Sequence, residues 1–359
     1  MHLPVTVTEG QPWRQICIFR LKFLPMYTAR NLSFKFVVSF AWKPLLFFFC
    51  YATFIVSLYE LVGWRFLALP FTPIGLAGTA VAFYVGFKNN SSYERLWEAR
   101  KIWGSIVNLS RSFAVYLLDY LQPSEKMTLE ELKEHKEILV HRQLAYINAL
   151  RIQLRERPIW DFKDDPFINI VKEQTGFVNQ NLLQEIKHFL HDDEAETLNN
   201  KHNTATHILH KQNEHINYLA SLGCLDNYKQ VELGRMIASY YDQQGACERI
   251  KSYPFPRQYA HFSEAFVWML TLILPFGLVG EISRFDDAFV WLVIPMSVVI
   301  SWIFYVMELI GDRSENPFEN GVNDIPMSAI CRTIEIDLRE MLAEKEIPAR
   351  LHPVENILM

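Results

Sequence analysis

Histidine is the residue type whose spacing first suggests chemistry. His188 and His191 stand three apart, and His202, His207, His210 and His215 crowd the same stretch of chain. Histidines three or four apart share a helix face, and imidazole binds zinc or iron, so a membrane metalloenzyme is one reading. Against it, the cluster lies far in sequence from every apolar segment. We read it as the solvent-facing side of a helix. Five cysteines, Cys17, Cys50, Cys224, Cys247 and Cys331, are odd in number and free of C-x-x-C spacing. That argues against a disulfide framework, a zinc site or an iron–sulfur site, and leaves them as reduced fillers. No G-x-x-x-x-G-K-S/T, H-E-x-x-H or G-x-S-x-G pattern occurs. The acidic residues Asp312, Glu315, Glu319 and Asp324 are few for a hard cation that wants six to eight oxygens, and they read as a solvated loop with turn and cap chemistry. No catalytic residue, resident metal or cofactor is expected.

The elements around these residues point to a membrane instead. Half of the 359 residues are hydrophobic and 14% are aromatic, which excludes a disordered chain. Thirty-five Lys and Arg against forty Asp and Glu give a net charge of −5, too acidic for a nucleic-acid partner. Charge is distributed unevenly. Leu45 to Tyr59 is uncharged and is extended upstream by Phe36 to Trp42; Phe66 to Phe87, Ala265 to Gly280 and Ala288 to Met307 are likewise uncharged. Each approaches the roughly 20 residues that cross a bilayer. For the short third run alone a buried soluble helix is the alternative, and four runs together set it aside.

The resulting organisation is a segment 1–35, spans at 36–62, 66–87, 265–280 and 288–307, an insertion at 88–263 and a tail at 308–359. None of the runs reads as a signal peptide, because about 35 residues precede the first and no small-residue cleavage site follows a short apolar core. Arg14, Arg20, Lys22, Arg30, Lys35 and Lys43 precede the first run against Glu9 alone, which places the N-terminus in the cytoplasm. The same rule puts Lys88, Arg95, Arg100, Lys101 and Arg111 inside and the loop Glu281 to Asp287 outside. An even number of spans returns the C-terminus to the cytoplasm. In the insertion Leu129, Leu132, Ile138, Leu139, Leu144, Ile147 and Leu150 recur at helical spacing. Breaks are expected at Gln122-Pro123-Ser124, between Arg157-Pro158 and Asp165-Pro166, and from Ser252 to Pro256. The fold class is an all-α membrane protein with a helical cytoplasmic domain.

The second span differs from the others. Pro70 and Pro73 delay regular helix to about Pro73, and the 14 residues from Ile74 to Phe87 cover only about 21 Å of a roughly 30 Å apolar layer. Such a helix belongs in the interior of an assembly. Gly78, Ala82 and Gly86 form a small-residue stripe that admits close helix neighbours. About 100° away Gly75, Thr79, Phe83 and Phe87 form a second stripe. Directed at a common axis, its apolar rings gate a pore by dewetting; otherwise Phe83 and Phe87 pack between helices.

From Gly86 the chain reads GFKNNSSYERLWEARKIWG, and from Glu315 it reads ENPFENGVNDIPMSAICRTIEIDLREML. With spans split two and two around a helical insertion, these segments resemble the bacterial and plant-type branch of the bestrophin family over about residues 25–342. The resemblance implies a homopentameric barrel in membrane lipid with one axial pore, a hydrophobic neck in the membrane and a second constriction, the aperture, at the cytosolic end. It implies passive conduction of chloride and similar anions; some bacterial members instead prefer monovalent cations such as sodium or potassium. The family's neck carries large apolar residues at i, i+4 and i+8, which fall here on Thr79, Phe83 and Phe87, with Thr79 where an isoleucine is typical. Counting back from Cys247 puts the aperture residue at Val231, whose alternative reading is an ordinary core valine. Animal members carry a calcium clasp after NPF; in this chain that acidic run is thinned to Glu319 and Asp324. A secondary transporter is the remaining class, but neither repeated spans nor mid-membrane ionisable groups are visible.

A lone four-span chain leaves the small-residue stripe and the short second helix without partners, so a closed ring is expected. The native mass of detergent-solubilised protein should correspond to five copies of the 42.1 kDa chain; a monomer or dimer would contradict the ring.

Overall fold

The computed structural model describes residues 34–156, 181–285, 287–319 and 324–352. The basic N-terminal segment through Arg30 and the expected break between Arg157 and Pro166 lie outside them. The helices are α1 Phe34–Glu60, α2 Phe71–Tyr120, α3 Leu129–Arg155, α4 Leu182–Lys187, α5 Asp192–Asn199, α6 Thr204–Ser221, α7 Asn227–Ser252, α8 Arg257–Ile282, α9 Val293–Ser314 and α10 Met327–Met341. Short 3₁₀ turns at Arg65–Leu67 and Asp287–Leu292 precede α2 and α9. Among the described residues there is no strand, only one isolated bridge between Ser124 and Met127. The expected breaks at Gln122 to Ser124 and at Ser252 to Pro256 fall where α2 and α7 end.

Four segments are long and apolar enough to cross a membrane: Trp42–Glu60, Arg65–Tyr120, Arg257–Ile282 and Ala288–Ser314. Trp64, Phe66, Phe285, Phe289 and Trp291 stand exposed at the two short connections between them, as suits aromatic rings at headgroup level.

Helix α2 departs from the sequence reading in both its start and its length. It begins at Phe71, with Pro73 in its first turn, where the missing N–H has no intrahelical acceptor to lose. It then passes the end of the apolar run without interruption and reaches Tyr120, so that its 50 residues extend about 75 Å. The short span is one part of a longer rod.

Two cores bury that rod in succession. In the apolar half Ile74, Val81 and Val85 pack with Val56 and Tyr59 of α1, Val267, Leu270 and Leu274 of α8, and Val293 of α9. In the other half Ile102, Trp103, Ile106, Phe113 and Leu117 pack with Leu144 and Tyr146 of α3, Leu233 and Tyr240 of α7, and Ile334 of α10. Glycines let α8 and its neighbours close up. A Cβ at Gly280 would lie 2.0 Å from the Leu69 carbonyl oxygen, and one at Gly277 would lie 2.7 Å from the Ile74 side chain. Leu69 N–H meanwhile donates to the Phe276 carbonyl at 3.2 Å.

Helix α3 is the centre of the bundle outside the apolar half, starting at a reciprocal capping box between Thr128 and Glu131. Its polar residues Arg142, Gln143, Asn148 and Arg151 are buried with its leucines, so each must find a partner inside. Arg151 donates to Glu185 Oε1 at 2.8 Å and to Ser328 Oγ at 3.2 Å. Helix α7 runs back along α2. At one end the Lys229 ammonium sits 5.3 Å from the Tyr120 ring centre; at the other, Arg95 donates to the carbonyls of Ile250 and Tyr253 at 3.2 and 3.0 Å.

At the level where α2 leaves the apolar layer, Lys88 is 3% exposed and its ammonium donates to Glu308 Oε1 of α9. Ser263 Oγ of α8 donates to the other oxygen of the same carboxylate, and Asp312 Oδ1 lies 3.8 Å from the ammonium. Beside the pair Asn89 Nδ2 donates to the Met307 carbonyl at 3.0 Å, and Gly311 leaves room for the Asn89 amide. Removing one member of a buried pair strands the other. Lys88→Met should therefore cost about 3 kcal/mol, and Lys88→Met with Glu308→Leu should recover much of it, measured as thermal unfolding of the solubilised protein.

Candidate functional site

Alpha-helical periodicity gives α2 two unlike faces. Val81, Val85, Lys88 and Ser92 recur at spacings of three and four and are buried, so the opposite face must look away from the subunit. On that face Thr79 is exposed, Phe83 is 68% exposed and Phe87 is 59% exposed. Phe83 and Phe87 stack edge to face, with ring centres 4.6 Å apart and planes at 87°, an arrangement that lets one ring brace the other. The Thr79 hydroxyl is turned back onto its own helix, donating to the Gly75 carbonyl at 3.0 Å. What it offers outward is therefore its methyl group.

The same face continues below the apolar layer with Asn90, Glu94, Trp97 and Lys101, all exposed. Asn90 Nδ2 donates to Glu94 Oε1 at 2.9 Å. Sequence reading stopped at Phe87 and missed these residues, although their three- and four-residue spacing carries the stripe on. That the helix itself continues has no local signal, since the residues change from apolar to charged at Lys88.

The other sequence-derived residues fall into place one by one. Val231, in the opening turns of α7, is 54% exposed and stays out of the larger core. Because α7 starts beside Tyr120, Val231 lies at the end of the rod remote from Phe87. Gly78 faces Leu270, 3.6 Å from where its Cβ would stand, and Ala82 is half-buried. Gly86 faces open space within the subunit. The close helix approaches inside the chain are made by Gly277, Gly280 and Gly311 instead, which sequence spacing did not single out.

Two readings of chemistry-bearing residues need correction. His188, His191, His202 and His210 are exposed, but His215 is not on a solvent-facing side. Its Nδ1 accepts from Arg142 Nη1 at 2.9 Å, which leaves Nε2 to donate to His135 Nδ1, also at 2.9 Å. Burial and the Arg142 charge hold its pKa down at about 4. Arg142 in turn forks onto Glu194 at 2.7 and 3.1 Å. Among the described residues no three His, Cys, Asp or Glu side chains converge as a metal site. Cys224, Cys247 and Cys331 are buried free thiols, and Cys50 is exposed.

The acidic run after α9 is not the solvated loop expected of it, since Glu315 is 4% and Asp324 is 5% exposed. Asp324 does act as a cap: its Oδ1 accepts from the amides of Phe318 and Ile325 at 2.8 and 2.7 Å, holding Phe318 at φ 77°. Lys251 lies 3.5 Å from Glu319, and Arg257 lies 3.5 Å from Glu315. With amides on Asp324 Oδ1 and cations beside Glu315 Oε1 and Glu319 Oε1, the described residues do not assemble the donor shell that a calcium ion requires. Burial first, and Asp312 beside it, push the Glu315 carboxyl up to about 7.

Helix length, apolar composition and side-chain exposure thus define a four-span helical membrane protein with one face of a continuous helix left bare. The family model described as bacterial/fungal bestrophin protein matches residues 31–340. The chain belongs to the bestrophin family. It is 28% identical over 300 residues to the voltage-dependent anion channel-forming protein YneE of Escherichia coli K12, covering 84% of this chain and 85% of that protein. To the voltage-dependent anion channel-forming protein mll4386 of Mesorhizobium japonicum it is 27% identical over 289 residues, 79% of each chain. A crystal structure of a bestrophin homologue from Klebsiella pneumoniae superposes with a TM-score of 0.69 at 23% identity, covering 84% of this chain and 98% of that one. These relatives are channel-forming proteins and not enzymes.

Glu315 gives a test of this boundary region. Between its ordinary 4.5 and about 7 the folded chain holds a proton there that the unfolded chain has released. Stability should fall as pH rises through that window, by about 3 kcal/mol across it. Glu315→Gln should flatten the slope in a comparison of melting temperature against pH.

Proposed function

We propose that the chain forms a homopentameric channel that passively conducts anions, chloride foremost, through an axial pore. The observation that carries this reading is the bare face of α2, on which two stacked phenylalanines stand exposed in an uncharged segment whose other face buries Ile74, Val81 and Val85. The names of the relatives in Escherichia coli and Mesorhizobium japonicum, as anion channel-forming proteins, support the ion class.

In the ring, Thr79, Phe83 and Phe87 from each copy face the axis as the neck. Water in so narrow an apolar collar is unstable, so the neck dewets and closes to ions without any side chain having to block it. Val231, on α7 near the end of α2 that lies about 50 Å beyond Phe87 at 1.5 Å per residue, lines the cytosolic aperture. Of the small-residue stripe, Gly78 admits Leu270 of α8 within the subunit, while Gly86 and half-buried Ala82 accommodate the adjoining copy of α2, which supplies the packing that Gly86 lacks within one subunit. The protein resides in the inner membrane with both termini in the cytoplasm.

Phe83→Ala and Phe87→Ala should widen and wet the neck, raising conductance or open probability in planar bilayers while the assembly persists. Residues merely filling a core would instead cost roughly 3 to 5 kcal/mol each on truncation, with no gain of current. Assembled channels whose currents are unchanged in both variants would remove these residues from the gate. Wild-type reversal near the chloride equilibrium potential in a salt gradient is expected; reversal near that of the cation would overturn the anion assignment.

A further inference from the structure

We propose that Glu94 and Lys101 are the residues that set the balance between anions and cations in this pore, Glu94 as a cation-attracting ring just beneath the neck and Lys101 as an opposing ring further in. The inference rests on α2 as the pore-lining helix. Lys101 follows Phe83 by 18 residues, five whole turns, and Glu94 follows it by 11, three turns and about 20°. All three side chains therefore leave the helix on nearly one bearing. Along the axis Glu94 is about 10 Å and Lys101 about 21 Å beyond Phe87 at 1.5 Å per residue.

Neither is in an ion pair among the described residues, which distinguishes them from Glu98, Arg111 and the backbone-bound Arg95 on the same helix. Glu98 pairs with Arg249 at 2.9 Å and Arg111 with Asp337 at 2.6 Å, while Arg95 is spent on backbone carbonyls. Arg100 leans on the Trp97 ring, 5.8 Å from its centre. Glu94, by contrast, accepts only the neutral Asn90 amide among the described residues, which orients the carboxylate without cancelling it. Lys101 is exposed and makes no ion pair among the described residues. Fivefold repetition multiplies each charge at one level of the pore.

Distance decides which ring the neck feels. The screening length is about 8 Å at physiological ionic strength, so Glu94 acts on ions at Phe87 across roughly one such length and Lys101 across more than two. The carboxylate ring enriches cations and depletes anions at the mouth of the neck, and it opposes the anion preference that the rest of the channel provides.

The test is the chloride-to-sodium permeability ratio of the full-length protein in planar bilayers, from reversal potentials in a sodium chloride gradient at low and at about 1 M salt. Glu94→Gln should raise the ratio about threefold and Glu94→Lys further, with Glu94→Asp unchanged. Lys101→Gln should lower it by less than Glu94→Gln raises it. All shifts should shrink at high salt, where the screening length is about 3 Å. Both side chains are exposed and outside any ion pair, so assembly should survive, and the oppositely signed Lys101 variant keeps the idea falsifiable if a Glu94 variant is poorly made. Unchanged ratios at low salt, in variants whose parent responds to Phe83→Ala and Phe87→Ala, would overturn the charge assignment alone. If the phenylalanine variants are also silent, the placement of α2 on the pore falls with it.

Discussion

A lysine buried where a helix crosses out of the apolar layer constrains everything else in this subunit. Withdrawing an ammonium from water is costly unless a carboxylate meets it with good geometry, and Lys88 has one acceptable direction, toward Glu308. Ser263 holds that carboxylate from the other side, so α2, α8 and α9 are tied at a single level. The rotation of α2 about its own axis is thereby set. With Lys88 turned inward beside Val85 and Ser92, Phe83 and Phe87 have to face outward, and so do Glu94 and Lys101.

The second consequence is rigidity. Because α2 is one helix, its position in the apolar core and its position in the larger helical bundle are not independent. Trp103 and Phe113, fully buried against α3 and α7, fix the lower half. Ile74, pressed into the space left by Gly277, fixes the upper end. Arg95 joins both halves by binding carbonyls at the end of α7 and the end of α9. A displacement of the bundle is thus carried into the apolar core by a continuous rod.

Polar chemistry in the larger helical bundle serves the same end. The Arg142, Glu194, Gln212 and His215 cluster satisfies buried groups around α3, and the direction of its hydrogen bonds keeps His215 neutral. The Asp324 cap holds Phe318 in a left-handed conformation that a bulky residue does not adopt unaided. These residue types drew attention in the sequence as possible metal chemistry. In the fold they stabilise helix junctions, which is the commoner use of a buried hydrogen-bonding side chain.

Four apolar runs, the helical insertion, the exceptional second span and the paired phenylalanines were legible in the sequence, because hydropathy and periodicity are local and the motifs around Gly86 and Asn316 are dense. Local signals misplaced the start of α2 at Pro73 and gave no hint that it passes Phe87 unbroken, since a change from apolar to charged residues marks a change of solvent and need not mark a change of backbone. Gly277, Gly280 and Gly311 matter through what approaches them, Leu69, Ile74 and Asn89, all remote along the chain. The burial of Glu315 and Asp324 depends likewise on partners from α2, α7 and α8. Composition and spacing determined which segments enter the membrane and which residues share a helix face; tertiary structure alone decided which face is covered, because that depends on where distant helices find the partner for Lys88.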